Sequence, residues 1–166
     1  VFLFFIFYDA LLGLGRLHME EIEIQMRTAL EYLQDGNFSL AEELYAMSLE
    51  KSQIVFGEGN SITVSLLGHL ARTCLAQDNQ SDLGISLLQK QLYHYENEPT
   101  LQSLLAERST CLIELEMALR NAERIEEAND IKVKADFIAS ECLRRMEDLE
   151  LKLSASMFEQ FEESES

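Results

Sequence analysis

The sequence predicts an all-α protein built from stacked helical hairpins, and three observations lead to this prediction. Leu and Glu are the two most frequent residues, proline occurs once, as Pro99, and tryptophan is absent. The abundant residues lose little side-chain freedom in a helix, whereas proline interrupts one. Apolar residues recur at spacings of three and four, which is the helical period. The segment at residues 36–49 also returns in related form about 42 to 44 residues later, twice.

The apolar pattern and its interruptions predict six antiparallel helices arranged as three hairpins. The predicted helices cover residues 19–34, 38–55, 62–77, 82–95, 99–121 and 124–158. Gly36 supplies a left-handed residue for the first turn, and Asn60 or Ser61 can cap the third helix. Pro99 is expected to open the fifth helix, because proline is tolerated at the first helical position. The inward residues predicted for the first two helices are Ile22, Met26, Ala29, Leu30, Leu33, Leu40, Ala41, Leu44, Tyr45 and Leu49.

Residues 1–18 form an apolar segment that has three interpretations. Eight consecutive apolar residues, four of them phenylalanine, precede Asp9. This stretch is shorter than the roughly 20 residues of a membrane span, and it lacks the basic start of a secretory signal. It could be a truncated membrane or targeting segment, a helix that caps the repeats or docks into a partner, or sequence upstream of a native start at Met19. Membrane contact and self-association are expected, if at all, through residues 1–14.

The charge of the chain excludes one large class of partner. The net charge is −17, and the 13 Lys and Arg residues are scattered, so no phosphate-neutralising patch for nucleic acid can form. Much of the excess lies near the C-terminus, where residues 159–166 are predicted to be a disordered acidic tail. The acidic surface can steer a basic partner or simply keep the protein in solution.

No motif for catalysis, cofactor binding or metal binding is found, so we expect a protein that is not an enzyme and has no cofactor. The cysteines lie more than 30 residues apart and predict free thiols in a reducing, cytoplasmic compartment, although an organelle or the membrane periphery remains open: Cys74, Cys111 and Cys142. The histidines lack partners at metal-ligand spacing: His18, His69 and His94. A Cys74–His69 pair is five residues apart, which places the two side chains on poorly matched helix faces.

The first hairpin resembles a tetratricopeptide repeat. Its aromatic, small and turn positions match those of the repeat, in the order Ala29, Tyr32, Gly36, Phe38, Ala41, Tyr45 and Ser48. The longer period, with Phe56-Gly57 ending the second helix, is similar to the 42-residue variant of kinesin light chains. In the second hairpin, Gly68 and His69 replace the groove asparagines of that group. The third hairpin keeps Ile125-Glu126-Glu127-Ala128 and Ala135 but has Glu116 where a small residue is expected. The resemblance covers residues 21–139.

The resemblance implies a right-handed α-solenoid of about three hairpins, with an apolar N-terminal element and a C-terminal helical extension. In this reading residues 19–158 are the repeat domain, flanked by residues 1–18 and 159–166. The concave groove implied by the family would be lined by Met26, Arg27, Leu30, His69, Arg72, Met117 and Arg120. Three of these residues could form a basic line that contacts an acidic or C-terminal carboxylate ligand, or each could pair with a neighbouring glutamate: Arg27, Arg72 and Arg120.

Two functions are therefore expected from the sequence. The first is a non-catalytic adaptor or scaffold that binds a partner protein or peptide in the groove. The second is a structural helical subunit held permanently in a larger assembly, which could be membrane-associated through its N-terminal segment.

Overall fold

The chain folds into six α-helices and no other regular element in the part that the structure describes. The structure, a computed structural model, describes the backbone of residues 2–77 and 79–164 and the side chains of residues 16–77 and 79–153. The helices are α1 (Phe2–Gln34), α2 (Phe38–Phe56), α3 (Ser61–Leu75), α4 (Ser81–Asn97), α5 (Leu105–Asn121) and α6 (Ile125–Ser164). The all-α prediction is confirmed.

The outermost helices are longer than predicted. The apolar segment is not a separate element, because α1 runs without interruption from Phe2 to Gln34. Its side chains up to residue 15 lie outside the described part, so its three interpretations stay predictions. Helix α6 continues to Ser164, whereas the sequence pattern predicted an end near Phe158.

Two of the helical hairpins turn in the same way. Gly36, with φ of 76°, follows α1, and the amides of Gly36 and Asn37 donate to the carbonyls of Leu33 and Tyr32. These two bonds define a Schellman motif, which satisfies carbonyls at the end of a helix. The predicted left-handed role of Gly36 is confirmed.

Glu123 takes the corresponding place after α5, with φ of 60°. Its own amide and that of Arg124 donate to the carbonyls of Arg120 and Leu119, which repeats the bonding pattern of the first turn. The first and third hairpins therefore share one turn geometry, although only the first has glycine there.

The start of α3 is predicted correctly and that of α5 is not. Asn60 accepts a hydrogen bond from the amide of Ile62 at 3.0 Å and caps α3. By contrast, α5 begins at Leu105 rather than near Pro99. The intervening residues form two successive turns, in which the amide of Leu101 donates to Glu98 and that of Leu104 donates to Leu101. These turns bury Leu101 in the core, and this burial outweighs the local preference for a helix beginning at the proline.

Two apolar clusters meet at α3 and form the core. The first cluster joins α1, α2 and α3 and contains Ile22, Ala29, Ala41, Tyr45, Leu49, Leu66, Leu67, Leu70 and Cys74. The second joins α3 to α6 and is centred on Ile85, Leu88, Cys111, Leu112, Leu115 and Leu119. Because α3 contributes a different face to each cluster, it connects the two halves of the chain.

Two of the residues predicted to face inward do not. Leu30 and Leu40 are 48% and 46% exposed, while their neighbours Ala29 and Ala41 are fully buried. The small residues mark the line of closest approach between α1 and α2, and each leucine lies one position away from it.

Each helix packs mainly against the helices before and after it in the chain. Side chains also connect alternate helices. Arg72 of α3 reaches Glu114 of α5, and Lys134 of α6 reaches Glu96 of α4. Gly84 lets α3 and α4 approach closely, because a Cβ at this position would lie 2.6 Å from Cγ of Leu75.

Candidate interaction groove

An open groove of about 360 Å³ separates α3 from α5. Its lining is mainly apolar, with polar side chains contributed by α3, α4 and α5. The lining residues come from the C-terminal end of α3, the start of α4 and the second half of α5: Arg72, Leu75, Ala76, Ser81, Glu114, Met117, Ala118 and Asn121. Met117 is 59% exposed and is one of several large apolar side chains that the described surface leaves open to solvent. We call this site the α3–α5 groove.

An ion pair crosses one end of the α3–α5 groove. The Nη1 atom of Arg72 donates to both carboxylate oxygens of Glu114, each at 3.1 Å. Beyond this pair lies a smaller polar cleft of about 160 Å³, which Gln91, Tyr95 and Glu107 help to line. The Arg72–Glu114 pair thus separates a mainly apolar groove from a polar cleft.

Arg72 also joins the groove to the first hairpin through His69. The Nη2 atom of Arg72 lies 3.2 Å from Nδ1 of His69, whose ring stacks on Tyr45 with a centroid distance of 5.3 Å. Since a guanidinium only donates, Nδ1 must accept and the imidazole must carry its proton on Nε2. Burial, assisted by the positive charge of Arg72, lowers the pKa of His69. A series of side-chain contacts therefore links α2, α3 and α5 through a neutral histidine. Its members are Tyr45, His69, Arg72 and Glu114.

The structure brings together three of the seven residues that the family resemblance proposed for the groove. His69 contacts Arg72, and Arg72 and Met117 line the α3–α5 groove. Arg120 instead donates to Glu116 at 2.8 Å and to Asn129 at 3.2 Å. Arg72 and Arg120 therefore already bind acidic or amide groups of their own chain. This makes them less available to the carboxylate ligand that the predicted basic line would contact.

The other three proposed residues lie on α1. Met26 packs against the first core cluster, which occupies its side chain. Arg27 and Leu30 are exposed, and neither lines the α3–α5 groove.

Several residues of the α3–α5 groove were not found from the sequence. Glu114 was missed because its partner Arg72 comes from another helix, 42 residues earlier. Leu75, Ser81 and Asn121 lie at helix ends, where boundaries are hardest to place from a sequence. The 42-residue separation matches the repeat period, so pairing positions one period apart would have identified the ion pair.

A second cleft, of about 400 Å³, lies between α1 and α2. Its walls include Met47, Ile54 and the Lys51–Glu21 ion pair. It lies within one hairpin, whereas the α3–α5 groove lies between two.

The buried thiols are poor nucleophiles. Burial raises the pKa of Cys74 to about 11 and that of Cys111 to about 12, so both are protonated at neutral pH. Cys111 donates to the carbonyl of Leu88 at 3.5 Å. Among the described residues, no cluster of three or more His, Cys, Asp or Glu side chains could hold a metal ion.

Within the described residues, none of the helices combines the length and the apolar character needed to cross a membrane. Comparison with models of known protein families gave no match, and comparison with curated proteins gave none either. The groove geometry is therefore the main basis for a functional proposal.

Proposed function

We propose that this chain is a non-catalytic interaction module, an adaptor or scaffold, that binds a segment of a partner protein in the α3–α5 groove. The observation that supports this most directly is the exposed Met117 in an apolar groove between two successive hairpins. Exposed apolar surface bordered by polar residues is typical of protein-binding sites.

A tetratricopeptide-like solenoid is the architecture that we propose for this module. The second helices of the hairpins begin at Phe38, Ser81 and Ile125, so their starts recur every 43 and 44 residues. Contacts between α3 and α5, and between α4 and α6, fit two layers formed by the first and second helices. In such stacks each repeat packs on its neighbours, and the first helices line a continuous groove.

The groove suits a short peptide segment better than a metabolite. It is open, and its volume is at the lower limit of small-molecule sites. Leu75, Met117 and Ala118 offer contacts to an apolar side chain, while Ser81 and Asn121 offer hydrogen bonds to a peptide backbone. Because methionine is flexible, Met117 can adapt to differently shaped side chains.

Two observations bear on the charge of the partner. The net charge of −17 favours association with a basic protein. The alternative, a carboxylate ligand held by Arg72, requires that the ligand displace Glu114. Arg72→Glu would discriminate between these ligands, because it should weaken the binding of an acidic ligand and strengthen the binding of a basic one.

The proposal can be tested with peptides selected from a displayed random library on the full chain. We expect Met117→Arg to weaken their binding at least about tenfold, since it places a charge in a mainly apolar groove lining. Met146→Arg is the matched control, because Met146 is a methionine of equal exposure, 58%, on a distant part of α6. Peptides that bind the Met117→Arg variant as tightly as the unmodified chain would show that the groove is not the binding site.

A structural subunit of a larger assembly is the second candidate function. It is favoured by exposed apolar residues on the part of α6 that extends beyond α5, such as Leu149. A subunit of this kind should aggregate when it is made alone, whereas an adaptor should stay dispersed. Light scattering of the purified chain separates the two.

A further inference from the structure

The C-terminal half of α6 extends past α5, the helix that precedes it in the hairpin. Helix α5 has 17 residues, whereas the antiparallel α6 has 40. Counted from the turn between them, Leu105 at the start of α5 is level with about Glu141. The following residues of α6, about 23 up to Ser164, correspond to roughly 35 Å of helix. We call this part the α6 extension.

The α6 extension carries an apolar stripe that continues the one packed in the core. Ala128, Ala135 and Ile138 are buried against α5, and Cys142 is partly buried beside the same cluster. The stripe continues at spacings of four, three and four residues through Met146, Leu149 and Leu153. These last three are 58%, 59% and 65% exposed, and none belongs to either core cluster formed by the described side chains.

An isolated helix with an exposed apolar stripe is unfavourable in water. Single helices of this length are marginal without packing. The apolar stripe, whose burial would stabilise this helix, is instead exposed to solvent. A spacing that alternates between three and four residues is the pattern of a coiled-coil seam.

We propose that two copies of this chain associate through residues 142–153 of the α6 extension as a parallel, in-register coiled coil. In this pairing Met146 and Leu153 occupy a positions and Leu149 a d position. Each of them then packs against its equivalent in the second copy. The surface is separate from the α3–α5 groove, so this inference does not depend on the proposed function.

The flanking charges favour the second copy as partner and the parallel direction. Arg145 falls at a g position and Glu150 at the following e position, and parallel coiled coils pair these positions between chains. The pairing occurs twice by symmetry. An antiparallel arrangement would instead place g positions together, and these are the basic Arg145 and Lys152.

Arg145 can make this contact at little cost to its own chain. It lies 3.5 Å from Glu141, but Arg144 holds the same carboxylate at 2.7 Å. The movement of Arg145 to Glu150 of the second copy therefore leaves Glu141 paired.

The first test is sedimentation equilibrium of the full chain over a wide range of concentrations. Because the seam has few apolar layers, we expect a reversible monomer–dimer equilibrium rather than a permanent dimer. Leu149→Asp should abolish the dimer, whereas Leu83→Asp, at an exposed leucine of α4, should not. A monomer at every concentration, or a dimer unaffected by Leu149→Asp, would overturn the proposal. A cooperative thermal transition in both variants would show that their hairpins still fold.

The second test determines the direction of the pairing. Arg145→Glu should weaken the dimer about tenfold, because it replaces two attractions with two repulsions, and adding Glu150→Arg should restore it. In a Cys142→Ala background, Leu149→Cys should form a disulfide between copies on mild oxidation. Asp148→Cys, one residue away and outside the seam, should not. Absence of the Leu149→Cys crosslink in a chain that still dimerises would contradict the parallel, in-register arrangement.

Discussion

The left-handed backbone of Glu123 predicts that Glu123→Gly stabilises the protein. Glu123 has φ of 60° in the same Schellman motif that Gly36 occupies after α1. A residue with a Cβ in this conformation costs about 1–2 kcal/mol, which glycine avoids. Glycine also has more freedom to lose on folding, which costs about 0.4–1 kcal/mol. The net expected gain is about 0.5–1 kcal/mol in the free energy of unfolding.

Urea unfolding followed by circular dichroism measures this gain, which corresponds to a rise of about 1–4 °C in Tm for a chain of this size. Glu126→Gly is the matched control, because Glu126 is also exposed but lies in the first turn of α6. This variant should lose about 1 kcal/mol in the free energy of unfolding, since it puts glycine inside a helix and removes an acid from a helix N-terminus. Equal losses for both variants would show that the strain at Glu123 is absent in solution.

Three further predictions concern the packing of the helices. Gly84→Ala should lower the free energy of unfolding by about 1–2 kcal/mol, because the clash with Leu75 outweighs the helical preference of alanine. Ser52→Ala should cost about 1 kcal/mol, because the buried hydroxyl of Thr63, now 2.7 Å from that of Ser52, loses its partner. Adding Thr63→Val should recover most of this loss. As the pH falls below about 6.5, the protein should lose stability, and His69→Gln should reduce this loss. Because the pKa of His69 is lowered in the folded chain, the unfolded chain binds the proton more tightly. The folded state therefore keeps its full stability above the ordinary histidine pKa of about 6.5 and loses stability as the pH falls below that value.

Urea titrations of each variant check these three predictions. A stabilised Gly84→Ala variant would mean that α3 and α4 can separate freely. Additive losses in the Ser52 and Thr63 double variant would contradict a direct hydroxyl pair. An unchanged slope of stability against pH in His69→Gln would show that another group titrates in this window.

The fold class, and the turns that depend on a single residue, could be predicted from the sequence. Gly36 and Asn60 were identifiable because each acts on the backbone within a few residues of itself. The end of α5 carries the same motif without glycine, so Glu123 gave no such signal. The start of α5 was misplaced because the burial of Leu101, a tertiary effect, determines it.

The site was less predictable than the fold, because it depends on pairs of distant residues. Arg72 was identified from the family resemblance, but its partner Glu114 and the stacking of His69 on Tyr45 join different helices. Such contacts depend on the offset between packed helices, which local periodicity does not define. Met117 lines the α3–α5 groove, whereas Arg120 turns towards Glu116.

The two proposed surfaces can be examined separately in the same protein. Met117→Arg should reduce peptide binding and leave dimerisation unchanged. Met146→Arg should do the opposite, because it puts a charge in the coiled-coil seam. If one substitution impaired both properties, binding and self-association would not be independent.

Hydrogen exchange of the full chain with and without a selected peptide tests the central proposal most directly. We expect the peptide to slow exchange in residues 72–77, 79–83 and 114–121, which contribute the walls of the α3–α5 groove. The α6 extension should exchange at the same rate in both samples. Protection confined to α1 and α2, around the cleft lined by Met47 and Ile54, would contradict the assignment of the α3–α5 groove as the binding site.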